Sequence, residues 1–375
     1  MWGFPKTLMT TFTQPPRHRL NLTIHAWHRL REVYSDHPVS LVTDWQHRIA
    51  GTWLHTLDQL SHGLAKCPIE PAEVVFIIGH WRSGTTLLHE LLCLNPKFTY
   101  PSTYACMNPQ VFPLTEKAVL RQFGGGTIQR PMDRMTLSLA SPQEDEFALL
   151  NLGASSPYEG LLFPAAFERA MAMADPDDLP ISQQQKWIEV FSRFLGRVAV
   201  QKPGCPVVLK SPTHSYRVKL LSRLFPNAYF IHIVRHPLEV YASTLNLWKK
   251  LFALYSLTGL HDEGALSRQV TANWIAMEEK LDIAIPSLVG ERYAHVYYES
   301  LVVQPMVEME RIYGQLGLQG FNDALPLMEG YLSSRSKFKK NRFNLTSSEI
   351  KIICNDWQPI FEKYNYSRII TTRRD

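Results

Sequence analysis

The sequence is short of anything that would staple or anchor it. Its 375 residues include five cysteines (Cys67, Cys93, Cys106, Cys205 and Cys354), with no CxxC pair and no zinc spacing. That argues against a disulfide framework and fits a reducing cytosol. No apolar run approaches the ~18 residues of a membrane span; the longest, Val74–Ile78 and Tyr229–Val234, have strand length. Neither sign of charge dominates, since 39 Lys and Arg against 34 Asp and Glu leave +5. This balance suits an anionic small molecule and is too weak to imply nucleic acid. The opening stretch MWGFPKTLMTTFTQPPRHRL lacks the apolar core of a secretory signal, so a cytoplasmic protein is expected. Internal repeats and low-complexity tracts are missing as well. What is present is ordinary for a globular chain, 45% apolar and 19% charged, which excludes wholesale disorder.

Helical and strand patterns alternate along the chain. Residues 24–65 read as helices, because Trp27, Leu30 and Val33, then Trp45, Ile49, Trp53 and Leu57, recur at spacings of three and four. Pro68 and Pro71 break the pattern and divide an N-terminal helical extension, 1–70, from a larger unit, 71–375. That unit opens with the buried-strand run Glu73–Ile78, a Gly-containing turn and a helix from Thr85. Short apolar strands return at Pro206–Leu209, Tyr229–Val234 and His295–Tyr298, each followed by a helical pattern. This order predicts an α/β fold, a mostly parallel sheet flanked by helices, with ligands beyond the carboxyl ends of the strands. Residues 121–200 and 246–285 read as helical insertions over an acceptor pocket, with Phe147, Tyr158, Phe163, Phe252 and Tyr255 available to line it. Ser141-Pro142-Gln143-Glu144 reads as a helix start, with Ser141 as cap and Glu144 closing a capping box.

The first strand runs into Gly79-His80-Trp81-Arg82-Ser83-Gly84-Thr85-Thr86. Against the phosphate loop GxxxxGK[ST], both glycines and the last Thr match, Thr85 stands in the Lys position, and a cation has moved back to Arg82. Gly84 lets backbone N–H groups turn inward at a helix N-terminus, which favours an anion. Without that lysine or an evident Mg²⁺-binding Asp at a later strand end, the loop is expected to hold a shorter group than a nucleoside triphosphate, and no metal.

The run GHWRSGTTLLHELL resembles the 5′-phosphosulfate loop of PAPS-dependent sulfotransferases, most of all the bacterial branch related to the tyrosylprotein enzymes, whose loop reads RSGTT. The likeness spans roughly residues 70–345 with three motifs in order. It implies a P-loop-like fold and PAPS (3′-phosphoadenylyl sulfate) as co-substrate, held by Arg82, Ser83, Gly84, Thr85 and Thr86, with Arg82 also catalytic, beside Lys210, in stabilising charge on the bridging oxygen. Arg235 and Ser243, in RHPLEVYAS, have the family's spacing for gripping the 3′-phosphate. Tyr298, in VYYESLVVQP, matches a Tyr near the adenine, and Lys210 matches a strand-end Lys that contacts the sulfuryl group. Lys340 and Arg342 are candidates for a basic loop over the 3′-phosphate, with a solvated basic stretch as the other reading.

For the acceptor proton, His214 is the expected base. It follows Lys210 by four residues at a helix start, where an imidazolium is disfavoured. The alternative is the acidic run Glu144-Asp145-Glu146, with Glu144 as the catalytic candidate and capping as its competing role. The implied reaction moves a sulfuryl group from PAPS to a hydroxyl or amine of a small-molecule, saccharide or peptide acceptor, releasing adenosine 3′,5′-bisphosphate. Two readings compete with it: a P-loop nucleotide kinase or NTPase, and a catalytically inactive nucleotide-binding module.

Overall fold

The computed structural model describes residues 20–64, 73–129, 136–259, 262–288, 292–334 and 345–368. The stretch with Lys340 and Arg342 lies outside the described residues, as does the Pro68–Pro71 break.

The strands are β1 (Val74–Ile78), β2 (Thr127–Gln129), β3 (Thr136–Ser138), β4 (Val207–Lys210), β5 (Tyr229–Val234) and β6 (Tyr293–Tyr297). Four of them form a parallel sheet in the order β4–β1–β5–β6, while β2 and β3 make an antiparallel hairpin. Every residue of β1 is buried, and the alternation of side chains splits them between two cores. Val74, Phe76 and Ile78 face one core, and Val75 and Ile77 the other. A strand covered on both faces has no polar side to show, which is why VVFII reads as an unbroken apolar run. One core is closed by helices that include Ile181–Gln201 and Glu263–Ala284; the other by Thr85–Cys93 and Pro305–Leu316.

Two N-terminal helices, α1 (Ile24–Val33) and α2 (Leu41–Leu64), lean on this body. Thr23 caps α1, and its backbone N–H donates to Asn151 O at 3.0 Å. Trp27 and Leu30 are buried. One face of α2 is anchored: His47 stacks on Trp27 at 4.2 Å, and Asp58 pairs with Arg197 at 2.7 Å in the interior. The periodic residues Trp45, Ile49, Trp53 and Leu57 occupy the opposite face and are exposed.

One expected helix start is not made. The helix begins at Glu146 instead of Pro142. Ser141 Oγ accepts from Ser138 N at 3.0 Å, and Pro142 bridges Ser102 in an antiparallel contact. That contact draws Ser141 and Pro142 out of a capping geometry and releases Glu144 from the box. His214 likewise lies in a 3₁₀ turn, Pro212–Tyr216, rather than at an α-helix start. Strand β6 ends at Tyr297, so Tyr298 opens the helix Tyr298–Val303.

Candidate active site

The loop between β1 and the helix Thr85–Cys93 (α3) passes through the left-handed region three times, at Gly79 (φ 144°), Arg82 (φ 70°) and Gly84 (φ 104°). Glycine is required at both ends for a second reason. A Cβ on Gly79 would collide with the Ile233 carbonyl, and one on Gly84 with the Tyr298 ring. Gly84 caps α3 with no side chain, so the first N–H groups of α3 keep their donors for a ligand. The loop is tied down from behind. Ser215 Oγ accepts from Gly79 N at 2.8 Å, Thr244 Oγ1 donates to Trp81 O at 3.2 Å, and His80 stacks on Trp274 at 4.6 Å. Burial drives the His80 imidazole down to about 3, so it is neutral and serves the fold. Within the loop the Ser83 hydroxyl is buried and has no partner among the described residues. A buried orphan hydroxyl beside uncapped N–H groups fits a phosphate or phosphosulfate oxygen.

The other nucleotide-side candidates converge here. Arg82 Nε donates to Ser243 Oγ at 2.9 Å, and Arg235 Nη1 to Arg82 O at 3.2 Å. The Arg235 guanidinium lies 4.5 Å from the Tyr298 ring centroid, and Arg235 also pairs with Glu239. Arg82, Gly84, Arg235, Ser243 and Tyr298, drawn from three strand ends, thus share one corner. Thr85, buried, and Thr86, half-buried, begin the helix above it.

On the far side, three consecutive acids meet three basic side chains from the end of β4 and the turn that follows it. Lys210 Nζ donates to Glu144 Oε1 at 2.6 Å. His214 Nε2 lies 2.9 Å from Asp145 Oδ2. Arg217 grips Glu146 with both terminal nitrogens, at 2.6 and 3.0 Å. The last two pairs are sealed. All four side chains have 0% exposure, and Phe76 and Phe191 pack edge-on against the His214 ring. Burial alone would raise the Asp145 carboxyl, but the His214 charge and hydrogen bonds from His214 and Ser211 outweigh it and hold it below its usual value. The first pair differs, because the Glu144 side chain is 16% exposed.

The expectation that His214 takes the acceptor proton meets a barrier here: its ring is enclosed and already engaged, whereas Glu144 is the member of the cluster that solvent touches. Tyr158, named in the sequence only as a candidate pocket lining, and Trp81, given no role there, complete the arrangement. Tyr158 OH donates to Glu144 Oε2, and Trp81 Nε1 donates to Tyr158 OH at 3.2 Å. One hydrogen-bonded chain therefore runs from the phosphate loop through Trp81 and Tyr158 to Glu144 and Lys210. Trp81 was visible between Gly79 and Arg82. Nothing in the sequence ties Tyr158 to Glu144, because the contact is made by tertiary packing.

A profile of the sulfotransferase family matches residues 74–323, more than half of the chain. The omega-hydroxy-beta-dihydromenaquinone-9 sulfotransferases Stf3 of Mycobacterium bovis and of Mycobacterium tuberculosis are each 36% identical over 294 residues, covering 78% of this chain and 75% of theirs. Among solved structures, the sulfotransferase STF9 from Mycobacterium avium superposes with a TM-score of 0.66 at 19% identity, over 91% of this chain and 92% of its own. STF1 from Mycobacterium tuberculosis gives 0.60 at 16%, over 90% and 93%. The chain belongs to the sulfotransferase family, whose reaction is PAPS-dependent transfer of a sulfuryl group; none of these matches supports a kinase or NTPase.

Proposed function

We propose that the protein transfers a sulfuryl group from PAPS to the hydroxyl of a lipid, with Glu144 as the base and Lys210 as the cation at the transferring group. The observation that carries this is the Lys210–Glu144 pair, 2.6 Å apart and reached by solvent, at the carboxyl end of β4 and hydrogen-bonded through to the phosphate loop. The lipid comes from the two Stf3 relatives, whose names specify a hydroxylated menaquinone.

PAPS supplies an activated sulfuryl group whose departure leaves negative charge on the bridging oxygen. The loop N–H groups and Ser83 would hold the 5′ end, and Arg235 with Ser243 the 3′-phosphate, Arg235 exchanging the exposed Glu239 for a fixed anion. Lys210, a compact cation with three donors, would neutralise charge as it develops. Glu144 would accept the acceptor hydroxyl's proton, its carboxylate held in place by Tyr158. Because a transferring sulfuryl group draws Lys210 toward itself, Glu144 would be less neutralised and more basic when the donor is bound.

Labelled PAPS with a panel of polyprenyl alcohols, hydroxylated quinones, phenols, amines and peptides tests the reading. Label should pass to the lipid alcohols. Cofactor binding without transfer to any acceptor would leave a binding module, and transfer to peptides or phenols alone would overturn the lipid. Arg235→Ala should weaken adenosine 3′,5′-bisphosphate by ~10-fold or more, the scale of a charge-assisted bond, and adenosine 5′-phosphate far less. Equal losses in titration calorimetry would move Arg235 away from the 3′ end.

A further inference from the structure

Among the described residues, nothing buries the outward face of α2. Val42, Trp45, Ile49, Trp53, Leu57 and Leu60 form one stripe along it, with Trp45 at 65% and Trp53 at 68% exposure. The helix is nevertheless firmly seated, since its opposite face carries the His47–Trp27 stack and the buried Asp58–Arg197 pair. No charged residue falls on the stripe; Arg48 stands at its edge, paired with Asp44 at 2.7 Å. An uncharged aliphatic row about five turns long, punctuated by two indoles, on an otherwise polar helix is the pattern of a helix lying in a membrane–water interface. It is not a span, since no described helix is long and apolar enough to cross a membrane.

Two observations choose the occupant. Arg197 Nη1 bonds both Asp58 and the Pro109 carbonyl, at 2.7 and 2.9 Å, which ties the segment leading into the helix Phe112–Phe123 to α2. That helix exposes Leu114 and Phe123 together with Lys117 and Arg121, the apolar and cationic groups that an anionic headgroup layer takes. Through α1, moreover, α2 rests on the helix Glu146–Leu152, which directly follows Glu144. We infer that α2 docks the protein on the surface of an anionic bilayer, presenting the site to an acceptor drawn from that bilayer; this rests on the lipid-acceptor reading above.

The test is flotation of the full-length protein with vesicles of equal phosphatidylglycerol and phosphatidylethanolamine, comparing wild type with Trp45→Glu/Trp53→Glu. Wild type should float, and the double variant should lose at least tenfold in partitioning while its unfolding curve and its turnover of a short, water-soluble alcohol stay within twofold. Wild type that remains in solution with vesicles present would overturn the inference. So would equal flotation of the variant, a wild-type dimer that the variant splits, or shielding of both indoles from acrylamide in the lipid-free monomer. Turnover of lipid alcohols in detergent micelles separates the two ideas. Turnover there without flotation sinks the docking alone, and flotation without turnover of any lipid sinks the acceptor reading while docking stands.

Discussion

Glu144 and Glu146 stand two residues apart and each meets a cation from the Lys210–Arg217 segment, but water reaches only one of them. The Glu146–Arg217 pair has no exposure, and its carboxylate is saturated by Arg217, Thr213 and Ser156. Such a pair holds the helix Glu146–Leu152 against the sheet and has no lone pair left for a substrate. Glu144, at the lip, is bonded by Lys210 and Tyr158 and still touches solvent. Identical chemistry thus splits by depth into a sealed half and a solvent-reached half, the latter carrying the base proposed above. The same rule places His214 with the sealed half.

The comparison can be broken from its solvent-reached end. Glu144→Gln removes the proposed proton acceptor and keeps the shape, so kcat should fall by ~10²–10⁴ with the melting temperature almost unchanged. Steady-state kinetics beside calorimetry decides this, and a variant that unfolds early yet keeps its specific activity would make Glu144 structural. At the buried end the signs reverse. Arg217→Met leaves Glu146 charged and enclosed, which should cost about 3–5 kcal/mol of stability in urea unfolding. A loss under 1 kcal/mol, with a large loss of kcat, would show that depth is not what separates the pairs.

His214→Gln sharpens the boundary through pH. A carboxyl depressed in the folded state, as Asp145 is, contributes stability that is complete above its unfolded pKa of about 3.9 and drains as pH falls through the folded value. This pair should therefore hold stability level down to about pH 4 and let it decline below. Without the His214 charge, burial dominates and raises the Asp145 carboxyl, so the sign reverses: the variant loses about 1–3 kcal/mol near neutrality and regains it as pH falls through the raised value, with most of kcat retained. Loss of kcat in a variant as stable as wild type would return the base to His214.

The smallest effect belongs to Tyr158→Phe. Its hydroxyl donates to the Glu144 carboxylate and so favours the charged form. Lys210 faces the same carboxylate from β4. Removing the hydroxyl should lower kcat by ~10-fold and move the acid limb of the rate–pH profile to higher pH, the scale of one hydrogen bond to a charged group. An unmoved limb would reduce Tyr158 to packing.

The loop was legible because its constraints are local. Gly79 and Gly84 are demanded by their own backbone angles, with the tertiary contacts to Ile233 and Tyr298 only adding to that demand, and a strand–turn–helix junction keeps Arg82 through Thr86 contiguous in space as in sequence. The parallel sheet was legible too, since strands covered on both faces betray themselves as apolar runs such as VVFII. The end of β6 and the start of the helix after Ser141 were not. A bridge from Pro142 to Ser102, 40 positions away, overrode a strong local capping signal. The roles of Glu144, Asp145 and Glu146 were beyond reach for the same reason: three adjacent carboxylates look alike along the chain, and only the packing of one segment against another assigns each its cation and its access to water. The helical spacing of Trp45, Ile49, Trp53 and Leu57 was plain in the sequence, yet which way that stripe faced was settled by Trp27 and Arg197 claiming the other side of α2. Local sterics and periodicity determine which elements form and where an anion can be cradled. Depth, which sets desolvation and hence whether a charge holds the fold or does chemistry, belongs to the tertiary structure.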